Sequence, residues 1–204
     1  VRGRPDRRAD ASFVADRFTQ VQLYAGTSYP LERELAHYYT SLVFSTAFGE
    51  SMSSRLFQRL REEQALCYTV YSFRTFYSDV GQWTVYANAT PGQTGKLLAA
   101  LDAELARLVR EPLDEREIDD ARSHLVGSMI VSREDMESRM KRLVRQHAMI
   151  DRVLEFDESV RMIRSIGAAD VERFVRTHVR SDAFNLLAYG SRGVARHAGF
   201  RFTF

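Results

Sequence analysis

The sequence predicts an α+β fold, a mainly antiparallel sheet with helices packed on one face. Three observations carry that expectation. Alternating segments gather in the first half of the chain, amphipathic helical segments fill the second half, and one alternating segment returns near the end. With 204 residues, 45% hydrophobic and 27% charged, the chain can bury one large core. We read a single domain over residues 18–204. Residues 1–17 read as a solvated linker or cloning remnant, because Arg2, Arg4, Arg7 and Arg8 crowd their start.

Residues 18–24, FTQVQLY, alternate and read as a strand. Tyr29-Pro30 breaks it before an apolar helix over residues 32–48, and FGESMS reads as the following loop. In the next helix Leu56, Phe57 and Leu60 form one apolar stripe, while Arg55, Arg59, Glu62 and Glu63 take the wet side. Arg61 falls at the edge of that stripe. After Gln64 the period changes to two. Leu66, Tyr68 and Val70 are expected on one face, with Cys67, Thr69, Tyr71 and Phe73 on the other. This strand over residues 66–77 turns at Ser78-Asp79-Val80-Gly81 and returns over residues 82–90, where Pro91 and Gly92 end it. The helix-end guanidinium of Arg61 and the strand phenol of Tyr68, seven residues apart, are thereby placed to converge on one surface.

The second half reads as helix. Leu97, Leu98, Leu101, Leu105 and Leu108 give one face up to Glu111-Pro112. Asp114 and Glu117 resemble a capping box opening a helix whose inner face carries Ile118, Ala121, Leu125 and Met129. A further amphipathic stretch over residues 133–150 is expected to bury Met136, Met140, Leu143 and Val144. Helices over residues 158–165 and 169–179 follow, divided by Gly167 as a helix stop, and the last strand covers residues 183–190.

Several chemistries are excluded by pattern. The five histidines include no HxxEH or HExxH spacing, and the nearest two, His178 and His197, are 19 positions apart. A single Cys67 removes internal disulfides and cysteine zinc sites, and reads as a small buried thiol. Gly49-Glu50-Ser51-Met52-Ser53 lacks the second glycine of a nucleophile elbow. Gly92-Gln93-Thr94-Gly95-Lys96-Leu97 is too short for a phosphate-cradling loop. A net charge of +2 gives no case for nucleic acid, and Trp83, Tyr86, Tyr71 and Phe73 read as packing. Only Lys96 and Lys141 are lysines among 29 basic residues, a matter of genome composition. Arg139, Lys141, Arg142 and Arg145 read as a solvated helix face, and Asp119 and Asp120 as exposed. No stretch reaches the roughly 18 to 20 apolar residues of a membrane span, and VRGRPDRRAD has no apolar signal core. Localisation stays open between the cytoplasm and periplasm of a bacterium.

The stretch SSRLFQRLREEQALCYTVYSF, followed by a hairpin and the strand VGQWTVYANATP, resembles the C-terminal, zinc-free half of the M16 metallopeptidases, the insulinase, pitrilysin and mitochondrial processing peptidase type. The family pattern reads roughly SRLFxxlREkxgLaYsvyS, and the similarity in element order runs from about Phe18 to Gly190. The resemblance implies a LuxS/MPP-like metallohydrolase half-domain. It also implies a clamshell partner, in the same chain or a separate subunit, that carries zinc on an HxxEH helix. No cofactor is then expected in this chain, which is inactive alone. Arg61 and Tyr68 match the Arg and Tyr that such halves lend across the chamber to an extended peptide substrate. By spacing alone the two read as a surface ion pair and a packing phenol. Where the family is often glycine-rich, Glu50 and Ser51 stand here, so no substrate-sliding role is carried over.

Two other readings remain. The same half-fold resembles the core proteins of respiratory complexes, which makes a structural or assembly subunit the alternative. A standalone binding domain for extended peptides is the third.

Overall fold

The computed structural model describes residues 9–30, 35–77 and 80–204. The N-terminal arginine cluster, the turn residues Ser78 and Asp79, and residues 31–34, where the expected helix over 32–48 starts, lie outside the described residues. Five strands form one sheet in the order β1-β5-β2-β4-β3: β1 Ala11–Asp16, β2 Val21–Pro30, β3 Val70–Phe76, β4 Val80–Ala89 and β5 Asn185–Ser191. Neighbours are antiparallel except β1 and β5, which run parallel with Ala11 opposite Leu186. The last strand, expected from the late alternating segment, slots between the first two, a position the sequence did not indicate.

One sheet face is apolar because alternate residues point the same way. Val21, Leu23 and Ala25 of β2, Trp83, Val85 and Ala87 of β4, and Leu186 and Ala188 of β5 are all buried. Helix α1, Leu35–Ser45, lies over this face, with Phe44 at 4.8 Å and Phe48 at 5.5 Å from the Trp83 ring. Its continuation Thr46–Glu50 is π-helical and carries the helix past Phe48 into Gly49 and Glu50, where a loop was expected. Gly49 presses on β3 there, so closely that an added Cβ would sit 2.6 Å from Ser72 Oγ. Ser72 Oγ also donates to the Ser45 carbonyl at 2.9 Å, which pins α1 to β3. Helices α2 Thr94–Arg110, α3 Glu115–Val131, α4 Met136–Ile150, α5 Phe156–Ser165 and α6 Ala168–His178 complete the layer. The Asp114 and Glu117 capping box forms as read: Glu117 N donates to Asp114 and Asp114 N to Glu117.

The opposite sheet face stays open. Tyr24, Tyr86 and Tyr71 line up across β2, β4 and β3 with ring centroids 5.0 Å apart in each neighbouring pair. Trp83 is core, as expected, whereas Tyr71 is exposed.

Several expectations need correction. Residues 11–16, inside the stretch read as linker, are strand β1; the arginine cluster before them masked a short alternating run in which Phe13 packs on the core. Strand β2 continues to Pro30 rather than ending at Tyr24, because Gly26 and Ser28 still alternate with buried Thr27 and Tyr29. Gly167 does not stop α5; it opens α6, donating its N–H to Asp170 at 3.1 Å.

The largest difference is α4. Met136, Met140 and Val144, expected inside, are exposed, while Gln146 is only 3% exposed. Gln146 supplies the reason. Its side chain donates to Ser159 Oγ at 3.1 Å and to Tyr39 Oη at 3.4 Å, and accepts from Leu154 N at 3.2 Å. That polar contact set, not the apolar stripe, fixes the rotation of the helix.

Candidate functional site

Arg61 belongs to the segment Phe57–Glu63, which is π-helical rather than the α-helix the spacing suggested. Short π-helical turns recur at functional sites. Leu56 and Leu60 anchor the segment at 0% exposure, so Arg61 emerges at its half-buried edge. Below it Arg55 is held by Glu117 through contacts of 2.8 and 2.6 Å, and Arg59 pairs with Glu63 at 2.7 Å. The Arg55 contact ties the start of the segment to α3, and the Arg59–Glu63 pair braces the segment internally.

The chain leaves the helix through Ala65, whose φ of 48° is left-handed. Leu66 N donates back to Leu60 O at 3.0 Å, which closes the helix end. Residues 66–69 then run outside the ladder, tied to β4 only where Thr69 N donates to Asn88 Oδ1 and Asn88 N to Thr69 O. The strand begins at Val70. For that reason Tyr68 does not share a face with Leu66 and Val70, as alternation from residue 66 had predicted: those two are buried and Tyr68 is 76% exposed.

The bend brings the expected pair together. The Arg61 guanidinium carbon lies 5.3 Å from the Tyr68 ring centroid and 4.8 Å from that of Phe57. An ion pair with Glu62 is long, at 3.8 Å. Among the described residues no protein group accepts a hydrogen bond from the Tyr68 hydroxyl. Both donors therefore face solvent, on open surface rather than inside the protein.

By spacing Phe57 belongs only to the apolar stripe, yet its ring lies under the Arg61 guanidinium. Its place four residues before Arg61 was the available signal, since helical neighbours at that spacing meet. Cys67, next to Tyr68, is buried, and burial pushes its thiol up to about 11 against a smaller opposing pull from Arg61. Such a thiol is a poor nucleophile.

Nothing in the chemistry of the surroundings suits a metal. Among the described residues no three His, Cys, Asp or Glu side chains converge, although the His37 and His178 rings approach to 5.4 Å beside Phe174. Among the same residues no helix is long and apolar enough to cross a membrane. What the exposed pair offers is two hydrogen-bond donors, one charged and one neutral, on a shared aromatic platform.

Residues 12–125, more than half of the chain, match the family model described as the peptidase M16 inactive domain. The chain is 32% identical over 135 residues to the uncharacterized zinc protease YmxG of Bacillus subtilis (strain 168), covering 66% of this chain and 32% of that protein. A solved M16 peptidase inactive domain from Pseudomonas fluorescens superposes with a TM-score of 0.76 at 18% identity, over 90% of this chain and 44% of that one. A chain in Complex III2 from Candida albicans shares the fold with a TM-score of 0.76 at 12% identity, over 95% of this chain and 48% of that one. The chain spans about a third of the curated relative and under half of each solved chain. Fold, helix-to-strand junction and family match agree: the chain belongs to the M16 peptidase family, as its inactive domain.

Proposed function

We propose that this chain is the non-catalytic half of an M16-like zinc metalloendopeptidase, closing a peptide chamber and supplying Arg61 and Tyr68 to an extended peptide substrate. The observation that carries this reading is the exposed, mutually stacked pair at 5.3 Å, with no hydrogen-bond acceptor on the Tyr68 hydroxyl among the described residues. Peptide hydrolysis places negative charge on the former carbonyl oxygen, and donors fixed beforehand stabilise that charge more than the ground-state carbonyl. The Tyr68 hydroxyl donates to the oxyanion. Arg61 holds a neighbouring carbonyl and, by stacking, keeps the phenol in place. An HxxEH half, in the same polypeptide or a separate subunit, would hold the zinc that activates water.

The test is Tyr68→Phe and Arg61→Ala in the assembled protease, assayed on a fluorogenic peptide. Loss of one donor should lower kcat about 10²- to 10³-fold. Zinc content and melting temperature should stay at parental values. Unchanged turnover removes the catalytic assignment and leaves the alternative, an assembly subunit. For that alternative the Complex III2 chain supplies a shared fold and nothing further.

A further inference from the structure

We propose that the junction of α3, α4 and α5 binds a small doubly charged oxyanion of the phosphate class, either inorganic phosphate or a phosphomonoester. The proposal is independent of Arg61 and Tyr68. Arg133 just past α3, Ser138, Arg139 and Arg142 on α4, and Phe156 at the start of α5 line one cavity of about 130 Å3. That is the volume of about four liquid waters, enough for a tetrahedral oxyanion of five heavy atoms.

Three guanidiniums share this space with a single lining carboxylate, Glu155. Among the described residues none of the three forms an ion pair with a carboxylate. Other basic residues of these helices and the loop between them do: Lys141 pairs with Glu137 at 2.6 Å, Arg152 with Glu158 at 2.5 Å and Arg122 with Glu115 at 2.7 Å. Arg133 instead lies 4.6 Å from the Phe156 ring centroid, and Arg142 donates to the Leu154 carbonyl at 3.3 Å. Both contacts fix a guanidinium in position and leave its charge in place. Glu155 also lines the cavity, so one negative charge faces three positive ones. The Asp135 carboxylate does not line the cavity; it caps α4, accepting from Ser138 N at 2.7 Å, and its bonds to Ser138 hold it below the usual carboxylate range, so it keeps its charge at the helix start.

Like charges gathered in one cavity repel, and an anion that accepts from several of them relieves the cost. Guanidinium forks match the spacing of phosphate oxygens, and charge-assisted bonds of this kind are about twice as strong as neutral ones. A single carboxylate cannot offset the excess that Glu155 leaves. A dianion can.

The test is calorimetric titration of the intact polypeptide at constant ionic strength with inorganic phosphate, phenyl phosphate and acetate. The variants are Arg139→Gln, Arg133→Gln with Arg139→Gln, and Lys141→Gln as a same-helix control outside the cavity. Arg133 and Arg139 are exposed, so the variants should keep the parental melting temperature. Saturable phosphate or phenyl phosphate binding is expected, weakened at least tenfold in the double variant, several-fold in Arg139→Gln and unaffected by Lys141→Gln. Tighter binding of inorganic phosphate identifies the free ion as ligand, and tighter binding of phenyl phosphate identifies a phosphomonoester. No saturable heat, equal weakening in Lys141→Gln, or acetate binding as tight as phosphate would each overturn the proposal.

Discussion

The Arg61 guanidinium stacks on the Tyr68 ring at 5.3 Å, across a helix end and a bend that the sequence crosses in seven residues. An exposed cation–π contact of this kind contributes about 0.5–1 kcal/mol. With Tyr68 76% exposed, the phenol adds little to the core. Tyr68→Phe should therefore change folding stability by less than about 0.5 kcal/mol in urea denaturation. A loss above about 2 kcal/mol would make the hydroxyl structural and confound any activity defect.

Ala65 sits where the family pattern carries a glycine, and its left-handed φ of 48° shows why. A residue with a Cβ loses about 1–2 kcal/mol in this region. Glycine relieves that strain and loses about 0.4–1 kcal/mol through its freer unfolded chain. Ala65→Gly should be neutral or stabilising by up to about 1 kcal/mol, whereas a β-branched Ala65→Val should be clearly destabilising. A lower melting temperature for the glycine variant than for the valine variant would contradict the assigned backbone.

Much of this site could be read from residue types alone. Leu56 and Leu60 announced the buried side of the segment, and the spacing of Arg61 and Tyr68 announced their meeting. The face of Tyr68 could not be read, because alternation holds only inside a paired ladder and the pairing starts at Val70. The π-helical winding of residues 57–63 was equally hidden, since the apolar stripe fits either winding. Strand β1 is hidden in the sequence because its mostly exposed run resembles a linker, and only its pairing with β5 gives it a place.

Cys67 should be unreactive in the folded chain. Burial lifts its thiol from the ordinary 9.0 to about 11, so the neutral form is favoured over the thiolate in the native state. Stability linked to that proton is present below about pH 9 and is lost as pH rises towards 11. Titration with a thiol-exchange reagent at pH 8 should give slow labelling without denaturant and rapid labelling in it. Fast labelling of the native chain would mean the segment opens readily.

Glu104 on α2 is 7% exposed, and its Oε2 has no hydrogen-bond partner among the described residues. Burial raises its carboxyl above the usual range, with Arg107, Arg59 and Arg55 pulling it back by less. The folded state thus holds this proton more tightly than the unfolded chain. Its stabilising effect is present below about pH 4.5 and is lost as pH rises through the elevated value. Glu104→Gln should flatten the stability profile over that interval and exceed the parent at pH 8. A variant destabilised equally at pH 4 and pH 8 would show that a hydrogen bond, not the charge, governs the site.

Helix α4 gives the sharpest contrast between pattern and packing, because Met136, Met140 and Val144 make a stripe as regular as any in the chain and still face outward. A buried amide with three partners fixes the rotation, since turning the stripe inward would strand Leu154 N and Ser159 Oγ. Gln146→Leu should accordingly cost about 1–3 kcal/mol, the penalty for leaving buried polar groups unpaired. Met140→Ala should cost under about 0.5 kcal/mol, as expected for an exposed side chain. Denaturation of the two variants side by side reads the orientation directly: a costly Met140→Ala beside a neutral Gln146→Leu would place the stripe inside and reverse the assignment.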